Sequence, residues 1–137
     1  MRVVLDTNIL FSALISPHGV PDAIYRAWRA ARFEVVTSQT QLEEIRRASH
    51  YPKFKAVLQP SKVGTMLNNL QRGIVLEKLT ITTEAEDPDD SFLLAMALQG
   101  DADYLVTGDR RAGLSQRGHI ERTRIITPAA FCDVVLK

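Results

Sequence analysis

The sequence predicts an α/β domain with a central parallel sheet of about five strands, on two observations. Five short segments of strand character, RVVL at 2–5, FEVV at 33–36, IVLEKL at 74–79, YLVT at 104–107 and RTRIIT at 122–127, alternate with segments of helical character. The first of them runs without a break into Asp6-Thr7-Asn8, the pattern of a strand buried on both faces that ends at a polar edge. Right-handed crossovers place the loops that follow such strands along one edge of the sheet, where α/β folds form their sites.

Each element has a local reason. Residues 9–15 are mostly apolar and compatible with a helix, Ser16-Pro17-His18-Gly19 breaks the chain, and Pro21 begins a second helix that reaches about Arg32. After FEVV, Ser38 with Gln41 three residues on has the form of a capping box, opening a helix with Leu42, Glu43, Glu44 and Ile45 that ends near Pro52. Pro60-Ser61 opens another helix to about Arg72, and Gly73 stops it before the third strand. The stretch 80–90 is polar and acidic, and Asp87-Pro88 starts a helix whose body, FLLAMAL at 92–98, is apolar on every side and therefore buried. Pro128 begins a closing helix carrying Phe131, Val134 and Val135.

Composition narrows the class. With 137 residues and 45% apolar content, the chain fits one domain, 1–137, that buries its core without disulfides or structural zinc. The one cysteine, Cys132, lies in an apolar setting and reads as core filler in a reducing compartment. The N-terminus shows no signal-peptide pattern and no apolar run has the length of a membrane span, so a cytoplasmic protein is expected. A net charge of +1 leaves any nucleic-acid affinity to local patches.

Acidic residues mark the candidate site. Asp6 ends the first strand, Asp109 follows the fourth, and Asp90 sits in the first turn of the buried helix, so all three are expected at the carboxyl edge. Glu44 joins them if its helix packs beside the first strand. Acids at such places often serve only as helix caps, and Asp87, Asp89 and Asp90 all suit a helix N-terminus. Asp6 differs, because a carboxylate closing an apolar central strand is expensive to desolvate without a partner. Residues 84–90 hold five acids in seven positions with no base. Bringing Asp6 and Asp109 close to them raises their pKa values unless a cation intervenes. Mg²⁺ or Mn²⁺, which take carboxylate and water oxygens, resolve that conflict. His18, His50 and His119 have no ligand-like spacing, which argues against zinc.

An oxygen-only acidic site suits metal-assisted phosphodiester hydrolysis, which needs no side-chain nucleophile. Ser12, Ser38 and Ser91 lack a nucleophile elbow, and no Gly-rich phosphate loop is present. Basic residues stand where phosphates could use them: Arg110-Arg111 after Asp109, Arg46-Arg47 beyond Glu44, and Lys53 with Lys55.

These segments together resemble the PIN-domain nucleases, especially the toxins of toxin–antitoxin systems, over essentially the whole chain. VVLDTNIL at 3–10 is similar to the family's opening strand with its first acid at Asp6, followed by Thr7 and Asn8. TSQTQLEEIRR resembles the second motif, in which the acid precedes an aliphatic residue, which selects Glu44 over Glu43. DPDDSFLLAMAL resembles the third and selects Asp90, with Leu93, Ala95 and Ala97 beyond it; YLVTGD resembles the fourth, with Thr107 as the hydroxyl and Asp109 as the last acid. The resemblance implies a three-layer α/β/α sandwich and an Mg²⁺- or Mn²⁺-dependent endoribonuclease acting on RNA. It implies Asp6, Asp90 and Asp109 as metal ligands, Glu44 supporting them directly or through water, and Asn8 and Thr107 in supporting places, while Arg110 and Arg111 remain the substrate-binding candidates by their position after Asp109. It also implies a homodimer and a small antitoxin protein as partner. Many toxins carry a further acid where Ala112 and Gly113 stand here, so the number of metal ions stays open.

Two other readings compete. A PIN-like module could bind RNA or protein without cutting, against which all four acids are present. An aspartyl phosphatase could use Asp6 as nucleophile, but it lacks the second acid two residues on, where Asn8 stands.

Overall fold

The computed structural model describes residues 1–80, 88–108 and 118–137, with the side chains of 88–90 left aside. Its elements are β1 (Arg2–Leu5), α1 (Thr7–Ile15), α2 (Val20–Arg29), β2 (Glu34–Ser38), α3 (Gln39–Ala48), α4 (Pro52–Lys55), α5 (Pro60–Gln71) and β3 (Ile74–Leu76). There follow α6 (Pro88–Gln99), β4 (Tyr104–Val106), β5 (His119–Ile120), β6 (Thr123–Ile126) and α7 (Pro128–Phe131), which widens into a π-helical turn, Cys132–Leu136. The strands lie in the order β3-β2-β1-β4-β6-β5, parallel throughout except for the β5–β6 pair. The α/β architecture expected from the sequence is therefore present.

Alternation along the strands divides the core in two. Val3, Leu5, Val35, Val106 and Ile126 face one way and pack with residues of α1, α2, α3, α5 and α7. Val4, Val36, Leu105 and Ile125 face the other way and pack with Phe92, Leu93, Leu94, Met96 and Ala97 of α6. This follows from handedness. The crossovers β1→β2 and β2→β3 step outward in one direction, while β3→β4 returns past β1 to its far side, so a right-handed connection puts α6 on the opposite face. Residues 91–97 of α6 are buried on every side, which is the setting an all-round apolar helix body requires.

The structure departs from the sequence expectation at several ends. Pro52 opens a short helix, α4, of its own rather than merely closing the one before it. The third strand stops at Leu76 instead of running to Leu79. A sixth, antiparallel strand, β5, joins β6 through Glu121-Arg122, with Glu121 at φ 48°; this pair carries none of the Asn-Gly or Asp-Gly signal by which a two-residue hairpin is ordinarily read. α2 ends at Arg29, three residues early. Ala31 adopts φ 61°, and the backbone closes with Arg32 N–H donating to Ala27 O at 3.0 Å and Ala31 N–H to Trp28 O at 2.9 Å. That is a left-handed helix stop built on alanine, where glycine is the usual marker. Among the described residues no helix is long and apolar enough to cross a membrane.

Candidate active site

The reversal of strand order falls between β1 and β4, and parallel sheets open a crevice at the carboxyl ends of two such strands. Asp6 and Thr107 are the residues that leave those two strands. Their backbones extend the ladder by one step, Asp6 N–H donating to Val106 O and Thr107 N–H to Ile126 O, each at 3.0 Å. The sheet itself thus fixes their side chains.

Asp6 is 9% exposed and Thr107 is fully buried. The Thr107 hydroxyl donates to Asp6 Oδ2 at 2.8 Å, and the Asn8 backbone N–H donates to Asp6 Oδ1 at 3.2 Å. Asp6 is therefore the N-cap of α1 as well as the end of β1. Both of these donors are neutral. They orient the carboxylate without cancelling its charge, and an orienting hydrogen bond of this kind is what holds a ligand in place for a hard cation.

The helix that carries Glu44 comes to the same edge. β2 ends at Ser38, whose hydroxyl accepts from Gln41 N–H at 3.1 Å and so caps α3, and which also donates to Met96 Sδ of α6 at 3.2 Å. The reciprocal half of the expected capping box is absent. Instead of turning back to Ser38, the Gln41 amide is fully buried and donates from Nε2 to Leu5 O at 2.8 Å, with Thr7 Oγ1 at 3.4 Å. Its Oε1 accepts from the Thr37 hydroxyl at 2.7 Å. Glu44, one turn further along, is half-buried, whereas Glu43 is exposed.

Of the residues singled out from sequence, Asp6, Thr107 and Asn8 come together at this edge, Asn8 through its backbone, with its side chain exposed. The side chain of Asp90 and the residues Asp109, Arg110 and Arg111 lie outside the described residues. Sequence reasoning gave Gln41 only a capping role and gave Thr37 none. A polar pair at i and i+4 across a strand-to-helix junction was the available signal, but turn chemistry explains such residues equally well.

A PIN domain match covers residues 2–111 of the chain. The chain belongs to the PIN-domain family. An uncharacterized protein of Methanocaldococcus jannaschii, MJ1680, is 28% identical over 114 residues, which span 80% of this chain and 72% of that one. PIN domains are generally nucleases and usually use divalent metals.

In this PIN domain the donors at the edge suit such an ion. Carboxylate and hydroxyl oxygens gather there, while His18, His50 and His119 are all exposed and lie on the loop before α2, after α3 and on β5. Among the described residues no three His, Cys, Asp or Glu side chains form a cluster. Cys132 is half-buried against the first core, and burial pushes its thiol pKa up, which suits packing rather than attack.

Proposed function

We propose that this PIN domain is an Mg²⁺- or Mn²⁺-dependent endoribonuclease, with Asp6, Asp90 and Asp109 as metal ligands and Glu44 in support. The observation that supports it best is the buried Asp6 carboxylate, aimed by the Thr107 hydroxyl at the strand-order reversal of a nuclease-like fold. A structural acid at a helix N-terminus needs only its cap bond; this one has a second donor, from the neighbouring strand, that fixes its rotation. Bound there, the ion would supply an activated water and neutralise charge on the phosphate. Asp6 and Glu44 would hold and balance that charge, and Thr107 would keep Asp6 in the liganding rotamer.

Substrate phosphates would be met by basic residues around the edge. Arg110 and Arg111 follow Asp109, and Arg46, His50 and Lys55 line a concavity of about 480 Å³ floored by Leu58, Val63 and Leu67 beyond Glu44. RNA as substrate, a homodimer and a small antitoxin as partner rest on the likeness of all four motifs to toxin-type PIN domains. Incubating purified protein with single-stranded RNA and Mn²⁺, then with excess EDTA, tests the metal mechanism. Cleavage is expected with metal and none with chelator; cleavage unchanged by chelator after thorough washing would overturn it.

A further inference from the structure

The pairing of β1 with β2 runs from Arg2↔Glu34 to Val3↔Val35, whereas β2 pairs with β3 from Val36 onward. Continuing the β1–β2 register would set Leu5 opposite Thr37. In place of that contact, the Gln41 side-chain amide stands between them, giving Nε2–H to Leu5 O and taking the Thr37 hydroxyl on Oε1. The orientation of the amide is fixed by chemistry, since a carbonyl oxygen such as Leu5 O only accepts. One side chain of α3 thereby links the two strands beyond their last paired residues, from a backbone carbonyl on β1 to a side-chain hydroxyl on β2, one residue before Asp6.

A primary amide buried without partners costs several kcal/mol, and this one makes its bonds, each worth about 1 kcal/mol net. An aliphatic side chain would fill the same space but would take this partner from Leu5 O and the Thr37 hydroxyl, at about 1–3 kcal/mol for each group left unsatisfied. Beyond that satisfaction, the amide adds position. It sets the first turn of α3 at a fixed distance from the end of β1, and Glu44 lies three residues on, on the same side of the helix.

We infer that Gln41 is a positioning residue of the active edge: its amide sets the spacing between Glu44 on α3 and Asp6 on β1, and so the affinity of the site for its divalent ion. The inference rests on the proposed role of Glu44. It is tested by Mn²⁺ titration calorimetry on wild type, Gln41→Met, Glu44→Gln, the double variant and Asp6→Asn, with thermal unfolding of each in the absence of metal.

Gln41→Met is expected to weaken Mn²⁺ binding about tenfold, the lower end of what is lost when an outer-shell partner of a ligand is removed. In the Glu44→Gln background the same change should cost less than twofold, because the residue through which it acts has gone. Additive losses in the two backgrounds would overturn the inference, as would unchanged affinity in Gln41→Met when Asp6→Asn binds weakly; either result leaves the metal reading standing. No Mn²⁺ binding by wild type would overturn both. Should Gln41→Met not fold, Thr37→Val, which removes only the bond to Oε1, takes its place in the cycle with an expected loss of two- to fivefold and the same collapse in Glu44→Gln.

Discussion

Thr107 and Asp6, 101 residues apart in sequence, meet through a 2.8 Å hydrogen bond at the carboxyl ends of two adjacent central strands. Thr107 is fully buried, so its hydroxyl has been desolvated to make this contact. Thr107→Val keeps the shape and deletes the donor. Cleavage is expected to fall by about 10- to 100-fold, as for other partners that orient a ligand. Stability should drop by only about 1–2 kcal/mol. Thr107→Ser retains the donor and should keep most of the rate. Equal rates in Val and wild type would show that Asp6 does not need this bond to function.

Asp6 caps α1 as well as facing the site, and one substitution separates those roles. Asparagine caps a helix about as well as aspartate, so Asp6→Asn keeps the bond from Asn8 N–H while removing a charge from the proposed acidic site. The expected result is a metal-free melting temperature that holds or rises, with RNA cleavage abolished. Retained cleavage together with a fall of many degrees would reduce Asp6 to a structural cap.

The sequence showed the sheet and the site unevenly, for physical reasons. Strands β1, β2, β4 and β6 were legible because each carries adjacent apolar residues buried on both faces, Val3-Val4-Leu5, Val35-Val36, Leu105-Val106 and Ile125-Ile126. Asp6 stood out because a carboxylate ending such a strand is expensive to desolvate, and its use as the N-cap of α1 went unread. β5 escaped because two residues carry no period and Glu121 is an unusual occupant of a left-handed turn. The role of Gln41 escaped because a buried amide and a capping amide have the same local signature, and only its bonds to Leu5 and Thr37, past the last β1–β2 pair, distinguish them. In α6 the positions that follow Asp90 at helical spacing, Leu93, Leu94 and Ala97, are buried, but so are Phe92 and Met96, which follow Asp89. Helical phase therefore does not separate the two acids, and the preference for Asp90 rests on the motif.

Ala31 offers a stability test remote from the edge. At φ 61° its Cβ crowds the backbone, which costs an L-residue about 1–2 kcal/mol relative to the right-handed region. Ala31→Gly removes that strain and gives back part of the gain through the greater entropy of an unfolded glycine. Net stabilisation of about 0.5–1 kcal/mol is expected in denaturant unfolding. A destabilised variant would mean that the helix stop is not held in this conformation in solution.

At the opposite edge of the sheet, Asp103 ties the start of β1 to the β5–β6 turn. Its Oδ2 accepts the Arg2 backbone N–H at 2.9 Å and its Oδ1 pairs with the Arg122 guanidinium. The Arg2 N–H, then Arg122, hold the Asp103 carboxyl below the usual carboxylate range, against a smaller opposing effect of burial. A depressed folded-state pKa means that the unfolded chain binds the proton more readily. The stabilisation is therefore fully present above the unfolded value of about 3.9 and is lost as pH falls through the lower folded value. The side chain is 31% exposed, so solvent screening limits the contribution to about 1 kcal/mol. Asp103→Asn should consequently melt a few degrees below wild type at pH 7, and the gap should close as pH is lowered below about 4. Melting both proteins from pH 7 to pH 3 in one buffer series measures it, because the other carboxylates titrate alike in the two chains and cancel in the difference. A gap that stays constant, or widens in acid, would show that the Asp103 charge contributes nothing to the joint and that the asparagine variant suffers from lost packing alone.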